Sequence, residues 1–206
     1  MRSHRYSGVM PRVVDHEQRR REIAYGVLVV VAQGGIAAVS LRSVAKAAGV
    51  SMGRVQHYFA SKDELVQHAC RVVAQVAGEA YEAGAGQPVR ERLSQLLTLG
   101  FPGSEQARVG TSVWYSFVTS AATDPQLAQL VDEGWAGMRA ELTALLTQAR
   151  AAGELSPAVP ADLRPTVLAL AALQDGLVLR LMLGAITPQE AHAVVELELD
   201  RLVTMG

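Results

Sequence analysis

Residues 40–62, SLRSVAKAAGVSMGRVQHYFASK, decide how this chain folds. Leu41, Val44, Ala45 and Ala48 recur at i, i+3, i+4 and i+7, the spacing that aligns one face of a helix. Gly49 follows directly, where a helix commonly ends on a left-handed residue that glycine adopts without steric cost. Ser51 then stands where its hydroxyl can accept from the free N–H groups of a second helix. In that helix Val55 and Phe59 share one side, which leaves Arg54, Gln56 and His57 to face outward. Two short helices across a tight turn make a helix-turn-helix, whose second helix is of the kind that enters a DNA major groove. By itself the pair leaves DNA binding and plain structural packing equally open, because a short motif needs its context.

Charge supplies that context. Residues 1–62 hold ten Lys or Arg against three acids, a net +7; the remainder holds nine against seventeen, a net −8, within a chain of 206 residues and net charge −1. A basic head on an acidic body suits a protein that grips phosphate at one end. Arg2, Arg5, Arg12 and Arg19 to Arg21 alone would also fit a solvated tail, but Arg42, Lys46, Arg54 and Lys62 carry the charge into the helix-turn-helix itself. Cys70 is the single cysteine, so no intramolecular disulfide forms and a reducing compartment is natural. Residues 1–22 lack the apolar run of a secretory signal. The most apolar stretch, Val167 to Ile186, is broken by Gln174, Asp175 and Arg180, and reads as a buried bundle helix rather than a membrane span. A cytoplasmic protein with no membrane partner is expected.

The expected fold class is all-α, with about nine helices and no sustained period-2 alternation. Residues 1–14 read as a flexible basic arm, 15–61 as a three-helix DNA-binding domain, and 62–206 as a second helical domain. A first helix runs from about Asp15 to Gln33, and turns Ile23, Val27, Val30 and Val31 onto the helix-turn-helix. Ser61-Lys62-Asp63-Glu64 fits a capping box and starts a long fourth helix. A Gly-rich break (Gly84, Gly86) and Pro88 lead into a fifth helix ending near Leu99. Asp124-Pro125 caps a long seventh helix, an eighth spans about Ala161 to Leu183, and Thr187-Pro188-Gln189-Glu190 opens the last with a capping box and a first-turn proline. The last helix carries an apolar face broader than one neighbour requires.

The segment Ala48-Gly49-Val50-Ser51, Gly53, Phe59, Ser61-Lys62 and Glu64-Leu65, with Gly34-Gly35, Ser40, Val44 and Ala45 upstream, resembles the TetR family of one-component bacterial regulators over about residues 15–68. Val55-Gln56-His57-Tyr58-Phe59, Trp114 to Phe117, Ala121 to Pro125 and Asp175-Gly176-Leu177 further resemble its BetI-type subgroup. The resemblance implies a ligand-responsive repressor that binds a near-palindromic double-stranded operator as a homodimer. The last two helices of each subunit would form the interface, a small molecule would act as effector, and the fourth helix would transmit its binding. Many members place Tyr where Gln56 stands and His where Tyr58 stands, both commonly touching phosphate; here two other hydrogen-bonding side chains occupy those places.

Bases are read through the groove while cations and donors hold the backbone. The candidate DNA contacts are Arg42, Ser51, Met52, Gly53, Arg54, Gln56, His57, Tyr58 and Lys62. Lys62, at a helix start, suits a phosphate, as does Arg42. Arg54 suits either guanine O6 and N7 or phosphate, Gln56 suits adenine, and Met52 a thymine methyl. Tyr58 is open between groove and core. Candidates for an effector pocket are Trp114, Tyr115, Phe117, Trp135, Met138, Gln174, Asp175 and Met182, although aromatics and Met at helical spacing equally describe a core. The five histidines are scattered without metal-ligand spacing, and no nucleophile or phosphate-loop motif occurs, so no enzyme, metal or cofactor is expected. The alternative is a helical scaffold that binds a protein partner through its acidic body.

Overall fold

A computed structural model describes residues 13–82 and 86–204. The expected arm, through residue 12, and the break at Gly84 lie outside the described residues. Among the described residues there are nine α-helices and no strand; a single antiparallel bridge joins Leu155 to Val203. Two compact units divide the chain, Met1–Ala69 and Cys70–Gly206, so that the division falls within α4 (Lys62–Glu82).

The first unit holds α1 (Val13–Gly34), a 3-10 turn (Ile36–Ala38), α2 (Leu41–Ala47) and α3 (Met52–Tyr58). α1 starts at Val13, two residues earlier than expected. Ile23, Val27, Val30 and Val31 are buried as expected, together with Val39, Val44, Val55 and Phe59. The run of β-branched residues in α1 has modest helix propensity, so this packing is what holds it. The helix-turn-helix closes as the sequence predicts. Gly49 takes φ 66°, Val50 N donates to Ala45 O at 3.0 Å and Gly49 N to Lys46 O at 3.3 Å, the two bonds of a Schellman ending. Gly26 lets α1 meet this turn: a Cβ there would lie 2.8 Å from Ala48 Cβ.

The second unit contains α5 (Val89–Thr98), α6 (Glu105–Ala121), α7 (Pro125–Ala152), α8 (Arg164–Met182) and α9 (Pro188–Leu202). Leu93, Leu96, Leu97, Leu142, Leu146, Leu170, Val195 and Leu199 form its core. Pro88 leads into α5 as its N-cap residue, with no side-chain cap hydrogen bond. Asp124 caps α7 through Gln126 N and Leu127 N, and Thr187 with Glu190 completes the predicted capping box of α9. α8 begins three residues later than expected: its N-cap is Leu163, and Asp162 Oδ1 accepts from Arg164 N at 3.0 Å, which satisfies the first helical N–H there.

α8 is long and apolar enough to cross a membrane by length and composition alone, with a mean hydropathy of 1.4 over a window of 18 residues. Only 28% of that window is buried within the chain. Leu168, Leu179 and Leu183 on this side, and Val194 and Leu197 on α9, are exposed. The helix read as buried in a bundle is thus only partly buried within this chain, and α8 shows an apolar flank to the outside.

Candidate functional site

α3 is seven residues long and buries a single side chain, Val55. Ser51 caps it by accepting from Arg54 N at 3.2 Å, so the Ser51 hydroxyl serves the backbone of its own helix. Met52, Gly53, Arg54, Gln56 and His57 are exposed, and no atom lies within 4 Å of a Cβ built on Gly53. Tyr58 is half-buried, its ring 4.8 Å from that of His16 and 5.0 Å from that of His57. Arg42 near the start of α2 and Lys62 at the start of α4 are exposed. The structure thus leaves seven of the nine candidate DNA contacts (Arg42, Met52, Gly53, Arg54, Gln56, His57 and Lys62) with free outer faces.

The capping box at the start of α4 forms by half. Glu64 N donates to Ser61 Oγ at 3.1 Å, but the Glu64 carboxylate turns to Ala60 N at 2.8 Å and to Arg20 at 3.0 Å. Those two contacts hold its pKa below the ordinary carboxylate value, the Ala60 bond contributing most. Arg20, counted by sequence among the basic residues of the head, points into this corner instead of outward.

In the second unit a cavity of about 170 Å³ opens among α4, α6, α7, α8 and the loop after α5. Trp114, Tyr115, Trp135, Met138, Gln174 and Asp175 line it, as the sequence proposes. Phe117 does not: it is fully buried in the core on the next turn of α6. Met182 does not line it either; its carbonyl accepts from Arg108 at 2.6 Å. Helical spacing places these two near the site without fixing which side of the helix faces it.

Trp114 and Trp135 meet edge to face, 6.4 Å between centroids. Tyr115 donates its hydroxyl to Asp175 Oδ1 at 3.2 Å. Burial raises the pKa of Asp175, partly offset by that hydrogen bond, and burial beside the carboxylate raises Tyr115 as well. Among the described residues no cationic side chain lines the cavity, and Asp175 is its single carboxylate. Gln174 donates to Leu99 O and Thr111 to Gly100 O at 3.1 Å, which fixes the loop that forms one wall. Sequence reasoning missed eight lining residues: Val73 and Ala77 of α4, Leu99 and Gly100 of the loop, and Gly110, Thr111, Gly134 and Val178. Gly134 has a specific role: a Cβ there would fall 2.9 Å from Trp114 Cη2, so its bare backbone seats the indole. A glycine within α7, with Gly137 one turn on, gives no sequence signal of that contact.

A basic helix-turn-helix with an outward second helix, on a chain whose other unit encloses a small cavity, defines a one-component DNA-binding regulator. Residues 28–69 match the bacterial regulatory proteins of the TetR family, and residues 88–204, more than half of the chain, match the C-terminal domain of BetI-type transcriptional repressors. The chain belongs to the TetR family. It is 31% identical over 180 residues to the HTH-type transcriptional regulator PksA of Bacillus subtilis, covering 86% of this chain and 85% of that one. It is 30% identical over 176 residues to the regulator BetI of Paraburkholderia xenovorans, covering 83% and 85%. Among solved structures, a TetR-family regulator from Rhodococcus sp. superposes with a TM-score of 0.79 at 26% identity, covering 89% of this chain and 97% of that one. A transcriptional regulator from Saccharomonospora viridis, in complex with choline, superposes with a TM-score of 0.81 at 21% identity, covering 92% and 100%; it shows the shared fold. Members of the family regulate transcription and are generally not enzymes. The matches give the scaffold alternative no support.

Proposed function

We propose that this regulator represses transcription as a homodimer that holds a near-palindromic operator with its two α3 helices and releases it when a small organic cation enters the cavity. The observation that carries the DNA assignment is the bare outer face of α3. Arg54 and Gln56 stand on it as base readers, with His57 toward the sugar-phosphate edge, while Arg42 and Lys62 flank it as phosphate contacts. Met52 and Gly53 border the groove wall; Ser51 acts mainly as the cap.

Three features support a cationic effector. A cavity of about 170 Å³ is comparable to the space that holds a benzene ring, so a ligand of roughly six to ten heavy atoms fits. The faces of Trp114 and Trp135 attract a cation through the ring quadrupole. Asp175 supplies a carboxylate that Tyr115 hydrogen-bonds but that no cation among the described lining residues pairs. The choline held by the Saccharomonospora viridis protein has that size and charge. Effector binding shifts the operator-binding equilibrium only by its differential affinity for the two states. Dimerisation through α8 and α9 would cover the leucines these helices leave exposed.

The test has two stages. Duplexes are selected by the protein from a random pool, and choline is then titrated while tryptophan emission and duplex occupancy are followed. A pool that converges on a two-fold-related sequence supports the DNA reading, and one that never converges rejects it. Choline that changes neither signal rejects the cationic assignment.

A further inference from the structure

A helix of seven residues that buries one side chain has little of its own to fix its direction. What holds α3 must therefore be found at its ends. At the N-terminal end the Schellman turn and the Ser51 cap do this. The C-terminal end leaves carbonyls that the helix cannot satisfy internally. One of these, Tyr58 O, accepts from Arg20 Nη1 at 2.6 Å.

The same guanidinium makes two more contacts. Its Nη2 donates to Glu64 Oε1 at 3.0 Å, and its Cζ lies 4.3 Å from the centroid of the Phe59 ring. Glu64 in turn accepts from Ala60 N through its other oxygen. Residues 58, 59, 60 and 64, the whole exit of α3 and the entry of α4, are thus gathered on one side chain of α1. The Arg20 side chain is 17% exposed and both its terminal nitrogens are engaged, so it is not offered to a phosphate. A cation at a helix C-terminus also opposes the negative end of the helix dipole. A planar fork can hold a carbonyl and a carboxylate together; a lysine ammonium on its single stem cannot reproduce that geometry.

We infer that Arg20 is a positioning residue for operator recognition, which sets the direction of α3 from behind without touching DNA. The inference rests on α3 as the DNA-contacting helix. A phosphate contact and a positioning contact differ in their salt response: loss of a phosphate contact lowers the slope of log K against log salt by about one and weakens all sequences alike.

The experiment compares wild type, Arg20→Ala and Arg20→Lys on the duplex selected by the wild-type protein and on a scrambled copy, over a range of salt. Arg20→Lys keeps the charge, the aliphatic stem and a cation near Phe59, and so retains the fold where alanine fails. Both folded variants are expected to bind the selected duplex about tenfold or more weakly, with scrambled-duplex affinity and salt slope unchanged. Lysine is expected not to rescue. A salt slope lower by about one, with equal losses on both duplexes, overturns the inference in favour of a phosphate contact. Wild-type discrimination by Arg20→Lys overturns it as well, whatever alanine does. If wild type itself does not distinguish the duplexes, it is the DNA reading that fails.

Discussion

Arg54 and Lys62 are both exposed cations of the head, yet their expected contributions differ in kind. Arg54→Ala should relax sequence preference at one base pair, at a cost of about 1–3 kcal/mol on the best duplex. Lys62→Ala should weaken selected and scrambled duplexes alike and lower the salt slope by about one; an unchanged slope removes Lys62 from the phosphate contacts. The acid in the cavity supplies a second prediction. Asp175 has its pKa raised above the ordinary 3.8 by burial. Its neutral form is the one the folded state favours, so its stabilising share is present at low pH and is lost as pH rises through the folded value. Asp175→Asn should therefore stabilise the ligand-free protein at neutral pH, as measured by melting temperature. Choline affinity should follow the opposite course, weakening as pH falls toward that pKa in wild type and staying low and flat in Asp175→Asn. Strong, pH-independent binding by the Asn variant would remove the carboxylate from the site. At this scale much was legible in the sequence: exposed polar residues between Val55 and Phe59 announce a reading face. Arg20 was not, because an arginine 38 and 44 residues away from its partners looks like any other charge of the basic head. Gly134 and Phe117 were not either, since the side of a helix that faces a cavity depends on its neighbours in space.

Short elements in this protein depend on their ends. Ser51→Ala removes the N-cap of α3 and is expected to cost about 1 kcal/mol in stability. Because so little else fixes α3, operator affinity should fall further than that stability loss alone explains. Equilibrium unfolding and duplex titration on the same preparation check this, and an affinity loss no larger than the stability loss argues that α3 is held elsewhere. End signals were also the most readable part of the sequence. Gly49, Ser51, Asp124 and the Thr187/Glu190 pair all do what their residue types imply. The exceptions have a common cause. The Glu64 carboxylate leaves its local box for Ala60 N and a partner on α1, and Asp162 sets the start of α8 from two residues ahead. Where a polar side chain has competing acceptors or donors, local spacing does not decide which it takes.

At the scale of the molecule the feature with the widest consequence is the apolar flank of α8 and α9. Leu183 is 74% exposed, and Leu168, Leu179 and Leu197 are each about half exposed. Several large apolar side chains left exposed on two neighbouring helices suit an interaction site. Leu197→Glu, or Leu179→Glu on the neighbouring helix, should convert a dimer into a monomer by sedimentation, with a loss of operator affinity that exceeds any change in non-specific binding. A wild-type protein that sediments as a monomer at micromolar concentration would contradict the shared interface. The all-helical plan and the basic-head, acidic-body division were readable because periodicity and charge are properties of sequence alone. The exposed side of α8 was not, because an apolar run reads as buried without revealing which chain does the burying.

The economy of α3 has an evolutionary corollary. Its hold on the protein comes from Val55 and from contacts at its two ends, so most of its outward positions make no demand on folding. Mutation can rewrite those positions while the scaffold persists, and a duplicated copy of such a regulator can drift to a new promoter without first passing through an unfolded ancestor.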